Sequence, residues 1–333
     1  MKKLAIIYVC LIGLFLLYIY RYHFEISHLR LSSQEETAFQ GQPNEKYVMI
    51  TFQSGMDYWK RCLKGFEDAA EELNVSVEYR GATQYDVNEQ VTVLEQVIAR
   101  KPAGIAISAI NPTALTKTIN KAVEKGIPVV LFDSNASGSK AFSFLGTNNY
   151  NAGVTAAHEM AKLLGNKGNV GIITSPYQLN HQERTRGFVE TIYQKYPQMH
   201  VVAVKNGKGD VRASKQAAIE ILEDYPDVQG IFATEANGGV GMAEAVVMLN
   251  KKHVKLISFD TEKQTLDLVK KGVIAATLAQ GTWNMGYWSL QFLFQLHHRL
   301  TSSSRSGDLP LPVYVDTGIT VVTKENVDRF YAR

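Results

Sequence analysis

Five polar residues share one position in this sequence, because each follows directly after a predicted buried strand. They are Asn111, Asp133, Glu235, Asp260 and Gln280. Carboxylate and amide groups accept or donate paired hydrogen bonds, which suits the neighbouring hydroxyls of a polyol or a sugar. One such carboxylate alone is usually a helix cap or a loop residue. Five at the same position favour a shared cleft for a small hydroxyl-rich ligand.

Aromatic residues lie close to this set in the sequence. Tyr58 and Trp59 open the first predicted helix, and Trp283 follows Gln280. An apolar ring face packs against the C–H face of a sugar, so these rings are candidates for stacking on the ligand. The alternative for Trp59 is a place in the hydrophobic core. Arg184 opens a later helix and either adds bidentate donors to the cleft or pairs with a nearby carboxylate.

The sequence shows no catalytic set. It contains no Gly-x-Ser-x-Gly elbow, Walker loop or His-Glu-x-x-His motif, so we expect no enzymatic activity and no cofactor or metal. The two cysteines, Cys10 and Cys62, cannot form a disulfide framework. The net charge is only +3 and no Lys/Arg-rich block occurs, which gives nucleic acid binding no support.

The cleft residues need elements that bring them together, and the stretch around Asn111 and Asp133 shows how. An apolar run ending at Ser108 precedes a helical pattern over 112–125, and a second apolar run covers 127–132. Pro112 suits the first helical turn, and both runs suit strands of a buried parallel sheet. A right-handed crossover places the carboxyl ends of both strands on one sheet edge, where such folds bind ligands.

Strands and helices alternate in this way along most of the 333 residues. The pattern runs from a strand at 47–52 to the strand ending before Asp133, and it restarts with a helix at 150–164. We therefore predict an α/β fold of two Rossmann-like lobes of about 100 to 130 residues each. A last helix over 284–300, a loop over 301–308 and a strand over 318–323 complete the prediction.

The N-terminus predicts a membrane anchor. Lys2 and Lys3 precede an uncharged apolar run over 4–20, which Arg21 closes, and no Ala-x-Ala-like cleavage site follows. We expect residues 1–21 to be a single transmembrane helix in the cell membrane, with the folded part outside the cytoplasm. A cleaved signal peptide is the alternative. Residues 22–45 are polar and predict a tether.

Six sequence motifs give the chain a specific resemblance. They are Tyr58-Trp59 before Gly65-Phe66, Asn111-Pro112-Thr113, Ile127-Pro128-Val129 leading to Asp133, Glu183-Arg184-Thr185 before Gly187-Phe188, Ile257-Ser258-Phe259-Asp260, and Ala275-Ala276-Thr277 leading to Gln280. Residues 46–325 thereby resemble type I periplasmic binding proteins of the ribose, xylose and galactose group. The resemblance implies three crossings between the lobes, with lobe 1 at 46–148 and 282–311 and lobe 2 at 149–281 and 312–325.

The resemblance also implies roles for individual residues. Tyr58 and Trp59 would stack on a sugar, and Asn111, Asp133, Asp260 and Gln280 would hydrogen-bond to it. Three positions depart from the family pattern: Ser134 stands where relatives often have arginine, Gln182 stands where an arginine is common, and Glu235 stands where asparagine is common, with Asn237 two residues later. The ligand predicted is a monosaccharide resembling xylose or ribose.

The resemblance and the N-terminal anchor together predict a tethered sugar-binding protein. It would close its lobes around the sugar and present the closed form to a membrane histidine kinase of a two-component system. The alternative is delivery of the sugar to the permease of an ABC importer. A third hypothesis, an enzyme acting on a sugar in the cleft, lacks a poised acid and base pair.

Overall fold

The computed structural model describes residues 13, 15–21, 40–176, 178–298 and 311–331. Residues 15–21 are helical, and the rest of the described chain folds into two α/β lobes. Within these ranges the strands are β1 (Lys46–Thr51), β2 (Ser76–Gly81), β3 (Gly104–Ile107), β4 (Val129–Phe132), β5 (Phe144–Gly146), β6 (Lys167–Thr174), β7 (Gln198–Asn206), β8 (Val228–Ala233), β9 (Lys255–Phe259), β10 (Ala276–Gln280), β11 (Tyr314–Asp316) and β12 (Ile319–Val322).

Each lobe is built around one six-stranded sheet. The first sheet has the order β11-β5-β4-β3-β1-β2, and all of its neighbouring strands run parallel. The second has the order β12-β10-β9-β8-β6-β7, in which only the β10–β12 pair is antiparallel. The carboxyl ends of the parallel strands therefore gather at one edge of each sheet, as the sequence predicts.

Helices cover both faces of both sheets. They are α1 (Tyr58–Leu73), α2 (Val87–Ala99), α3 (Pro112–Glu124), α4 (Asn149–Leu164), α5 (Leu179–Lys195), α6 (Val211–Asp224), α7 (Ala236–Met248), α8 (Lys263–Lys270) and α9 (Thr282–His297), and a short 3₁₀ helix follows at Val327–Arg329. In lobe 1, Phe66 and Phe294 fill the core on one sheet face, and Leu94 and Ile119 fill it on the other. Burial of these apolar faces drives the layers together.

Two of the helix pairs touch through glycine. A Cβ on Gly286 of α9 would lie 1.8 Å from the carbonyl oxygen of Cys62 on α1, and a Cβ on Gly153 of α4 would lie 2.0 Å from that of Arg184 on α5. No side chain fits at such distances, so glycine is required at both crossings. The crossing at Gly153 fixes α5, and with it the position of Arg184.

The lobes are joined by three neighbouring segments, which follow β5, β10 and β11. These segments bond to one another: Thr317 N donates to Gly146 O at 3.0 Å, and Gly281 N donates to Gly318 O at 3.0 Å. The third crossing corrects the predicted lobe boundary at 311/312. Strand β11 pairs with β5 in lobe 1, so the chain crosses at Thr317–Gly318, and β12 then joins lobe 2.

The predicted anchor over 1–21 and tether over 22–45 fall mostly outside the described residues. In the described part of the chain, no helix combines the length and the apolar character needed to cross a membrane. Residues 40–45 already belong to lobe 1, because Gly41 N donates to Leu73 O at 2.8 Å. The predicted last helix ends at His297 instead of residue 300, and the predicted loop over 301–308 lies outside the described residues.

Candidate functional site

The carboxyl ends of both sheets face one cavity of about 840 Å³ between the lobes. Lobe 1 contributes the loop after β1, the start of α1 and the residue after β4. Lobe 2 contributes the start of α5, the loops after β7, β8 and β9, and Gln280 at the end of β10. This is the edge at which open parallel sheets hold small ligands.

Asp133 is the partly buried carboxylate on the lobe 1 side of the cavity. It follows β4 in the left-handed backbone region, with φ of 59°. Tyr58 Oη donates to Asp133 Oδ1 at 2.6 Å, and Ser108 Oγ donates to Asp133 Oδ2 at 3.0 Å. Burial raises the pKa of Asp133, and these two hydrogen bonds oppose that rise. An ionised carboxylate has about four acceptor positions, so the two bonds leave about two for a ligand.

Trp59, at the start of α1, lies between the cavity and the core of lobe 1. Trp59 lines the cavity, yet it is only 2% exposed and its Nε1 donates to Phe52 O at 2.8 Å. Its ring meets those of Tyr58, Phe52 and Phe132 edge to face. The core of lobe 1 therefore fixes the aromatic wall of the cleft.

Asp260 is the matching carboxylate on the lobe 2 side. It follows β9, again in the left-handed region, with φ of 64°. Gln280 Nε2 donates to Asp260 Oδ1 at 2.7 Å, while Gln280 Oε1 accepts from Thr147 Oγ1 at 2.7 Å. Burial raises the pKa of Asp260 to about 6, against the lowering effect of the Arg184 charge. Gln280 therefore ties this carboxylate to one of the segments that join the lobes.

Arg184 lines the cavity, and each nitrogen of its guanidinium group donates a hydrogen bond to lobe 2. Its Nη1 donates to Thr234 O at 2.8 Å, its Nε to Asn149 Oδ1 at 2.8 Å and its Nη2 to Gln280 Oε1 at 3.2 Å. The guanidinium carbon lies 3.7 Å from the ring centre of Phe259. Burial lowers the pKa of Arg184, and the Asp260 charge opposes this. Arg184 therefore holds the lobe 2 wall in place and supplies its buried positive charge.

Two glutamates line the same wall with one buried oxygen each that has no hydrogen-bond partner, Oε1 in Glu235 and Oε2 in Glu262. They precede α7 and α8 without capping those helices through their side chains. Burial first, and then the Asp260 charge, raise the pKa of Glu235 to about 7 and that of Glu262 to about 8. Sequence reasoning missed Glu262; its only signal is a second carboxylate two residues after Asp260.

Asn237 and His181 complete the lobe 2 lining. Asn237 Nδ2 donates to Gly209 O at 2.9 Å. His181 lies in the first turns of α5, and its Nδ1 is 3.1 Å from Thr234 O. Burial, together with the Arg184 charge, lowers the pKa of His181 to about 3, so the ring is neutral at physiological pH. It contributes a polar but uncharged surface.

Two predicted site residues lie outside the cavity lining, which corrects their predicted placement. Asn111 caps α3, and its amide oxygen accepts from Ala114 N at 2.9 Å. Trp283 is turned outwards on α9, where its Nε1 donates to Asp68 Oδ2 at 2.8 Å and its ring stacks on Tyr287. In both cases the side chain bonds to or packs on residues of its own helix or a neighbouring helix, and not on the cavity.

The cavity thus presents four partly buried carboxylates and one buried guanidinium. Asp133 faces it from lobe 1, and Asp260, Glu235 and Glu262 face it from lobe 2. Such a surface accepts hydrogen bonds from a neutral ligand with several hydroxyls on different sides. In the described part of the chain, the three-residue cluster with metal-ligand spacing lies elsewhere, at Glu45. The cleft therefore fits a ligand with several hydroxyls.

Known proteins are similar to this chain in sequence and in structure. The family model described as "Periplasmic binding protein domain" matches residues 47–298. The structure of AraP, an arabinose binding protein from Geobacillus stearothermophilus, is 89% identical with a TM-score of 0.84, and the match covers 87% of this chain and 100% of that one. The sugar-binding protein of a sugar ABC transporter from Bacillus halodurans is 65% identical with a TM-score of 0.84, covering 86% and 100%. A chain of the XylFII-LytSN complex is 29% identical with a TM-score of 0.71, covering 84% and 98%.

Proposed function

Because the chain belongs to the periplasmic binding protein domain family, in its type I sugar-binding group, we propose that it binds arabinose between its two lobes. It is a binding protein and not an enzyme, in keeping with the sugar-binding proteins that it resembles. The proposal refines the expectation of a sugar resembling xylose or ribose, which are also aldopentoses.

The observation that carries the proposal is the pairing of Asp133 with Asp260 across one cavity. Each is a partly buried carboxylate directly after a strand, and each is held by a fixed donor, Tyr58 for Asp133 and Gln280 for Asp260. A ligand between them can donate hydroxyls to both lobes at once, so binding stabilises the closed form. The choice of arabinose is supported by the 89% identity to AraP over the whole of that chain.

We further propose that the protein is tethered to the cell membrane, outside the cytoplasm, and reports the sugar to a membrane histidine kinase. The uncharged run over 4–20, between Lys3 and Arg21, supports the tether. A chain with this fold is part of the XylFII-LytSN complex, which supports a protein partner for the folded lobes. Closure of the lobes changes the outer surface that such a partner contacts.

Delivery of arabinose to an ABC importer is the second candidate function. It is favoured by the 65% identical protein from Bacillus halodurans, which is the sugar-binding protein of a sugar ABC transporter. In that case the closed lobes would dock on the permease. Both functions use the same cleft and differ in the partner.

Two experiments test these proposals separately. Calorimetry of the full-length chain in detergent, with arabinose, xylose, ribose, galactose and glucose, should give the highest affinity for arabinose; binding of none of them would refute sugar binding in this cleft. The second experiment uses cells that lack the protein but express the importer genes from a constitutive promoter. If the protein is a sensor, these cells should take up labelled arabinose normally but lose arabinose-induced transcription. Loss of uptake in those cells would instead identify the import function.

A further inference from the structure

A second cluster of chemically active side chains lies in lobe 1, at the edge of its sheet opposite the cleft. Glu45 immediately precedes β1, and His297 and His298 close the last turn of α9. One ligand atom from each of these residues lies within 4.8 Å of the others, and His298 Nε2 is 2.8 Å from Glu45 Oε2. We propose that Glu45, His297 and His298 form a binding site for a divalent transition-metal ion, with Zn²⁺ as the best fit.

Contacts outside the cluster hold Glu45 and His298 in place. Glu45 Oε1 accepts from Gln42 N at 3.2 Å, which leaves Oε2 facing the histidines. The Glu45 carbonyl accepts from Ser76 N at 3.0 Å and so fixes the backbone at this point. The His298 ring packs on the Phe294 ring with 4.3 Å between centroids. Metal ligands are commonly oriented by such supporting contacts.

A contact outside the cluster also supports His297. Its ring meets the buried Tyr47 ring edge to face with 6.1 Å between centroids. An ion pair between His298 and Glu45 alone would not involve His297, whereas a bound metal ion would be coordinated by all three residues.

The donor set indicates which ions fit. Two imidazole nitrogens and one carboxylate oxygen suit Zn²⁺ and neighbouring ions such as Co²⁺, whereas Ca²⁺ and Mg²⁺ prefer oxygen ligands throughout. Ligand atoms about 2.0–2.2 Å from a tetrahedral ion stand roughly 3.3–3.6 Å apart. In the cluster, His298 Nε2 and Glu45 Oε2 are 2.8 Å apart and no pair of ligand atoms is more than 4.8 Å apart. Three protein ligands leave one position open for water or for a group from another protein.

The position of the site on its helix also favours a cation. His297 and His298 lie at the carboxyl end of α9, where the helix dipole places about half a negative charge. A bound ion would join the residue before β1 to the end of α9. These two parts of lobe 1 are far apart in sequence, because His297 lies 252 positions after Glu45. The site is separate from the sugar cleft, so the proposal does not depend on the proposed function.

Zinc titration of the full-length protein tests this site. The protein is prepared without a histidine tag, stripped with EDTA and titrated with Zn²⁺ against a chromophoric chelator. We expect one tight site per chain, and Co²⁺ in place of Zn²⁺ should give the visible absorption of a four- or five-coordinate ion. His297→Ala and His298→Ala should each lower Zn²⁺ affinity at least tenfold. His253→Ala is the matched control, because His253 is exposed in lobe 2 before β9.

Two results would overturn the proposal: wild-type protein that binds no stoichiometric Zn²⁺, or unchanged affinity in both histidine variants. Melting curves in EDTA check that the variants fold as the wild type does. Glu45→Gln provides a second variant that keeps the size of the side chain. It should also weaken Zn²⁺ binding, and unchanged Zn²⁺ affinity in Glu45→Gln would likewise contradict the proposed ligand set.

Discussion

The substitution Asp133→Asn tests whether the lobe 1 carboxylate binds the sugar. Asparagine keeps the size of the side chain and tolerates the left-handed backbone at φ of 59°, where alanine would add strain. The amide oxygen can still accept from Tyr58 Oη, so the wall of the cleft is preserved. The main loss is the charge that strengthens hydrogen bonds from ligand hydroxyls.

The size of the effect follows from the contacts of Asp133. With Tyr58 and Ser108 bound, about two acceptor positions remain for the ligand. A hydrogen bond to a charged group contributes about 1.5–3 kcal/mol, against about 0.5–1.5 kcal/mol for a neutral one. The loss is therefore about 1–1.5 kcal/mol per bond and about 2–3 kcal/mol for two, which is roughly a 30- to 150-fold weaker affinity.

Isothermal titration calorimetry with arabinose measures this change directly. Asp227→Asn is the matched control, because Asp227 is exposed near the other end of the lobe 2 sheet and contacts Asn169 instead of the cleft. Burial raises the pKa of Asp133, so the uncharged variant should melt no lower than the wild type when sugar is absent. Arabinose affinity within twofold of the wild type, in a variant that folds normally, would refute the role of Asp133 in binding.

Three further changes test other parts of the structure. Gly153→Ala should destabilise the protein by about 1–3 kcal/mol or more, since its Cβ would lie 2.0 Å from the Arg184 carbonyl oxygen. In the control Gly138→Ala the nearest atom to the new Cβ is 3.9 Å away, so the melting temperature should not change. Equal melting temperatures for the two variants would contradict the close crossing. Burial raises the pKa of the Glu235 carboxyl from 4.5 to about 7. Between these pH values the native state binds a proton that the unfolded state has already lost. The free energy of unfolding of the wild type should therefore fall, relative to Glu235→Gln, as pH rises from 4.5 to 7, and then level off. Thermal melts of both proteins without sugar check this, and parallel curves would argue against it. Trp283→Phe should leave arabinose affinity within twofold by calorimetry, because Trp283 lies outside the cavity lining; a tenfold loss would return it to the site.

Much of the fold could be predicted because long elements carry clear periodicity. Helix α1 begins at Tyr58 as predicted, and α3 covers Pro112–Glu124 against the predicted 112–125. Strands β5 and β11 were missed because each has only three residues, too few to show a pattern. Helix α5 begins at Leu179, ahead of the start predicted at Arg184, because its first turns are polar. Those turns face the cleft, so the need for polar side chains removed the apolar signal of a helix.

The site residues show the same limit at the level of single side chains. The strand-end rule found Asp133 and Asp260, because residues there must face the sheet edge. Trp283 was predicted in the site because it is close to Gln280 in sequence, and this was wrong. Its position on α9 points the side chain away from the cleft, and the ring stacks on Tyr287 one turn later. Glu262 was missed because the rule considers only the first residue after a strand. Which way a helix faces depends on its packing partners, and local sequence does not contain them.

The opposed carboxylates of the cleft have a consequence for the protein without sugar. Burial raises the pKa of Asp260 and Glu262, and charges from lobe 1 add to this, Asp133 for Asp260 and Asp57 for Glu262. If the lobes shut with nothing between them, the charges of Asp133 and Asp260 would approach one another as water leaves the cleft. This repulsion opposes closure of the empty cleft, and the hydroxyls of a bound sugar would relieve it. The closed form is therefore linked to the presence of sugar.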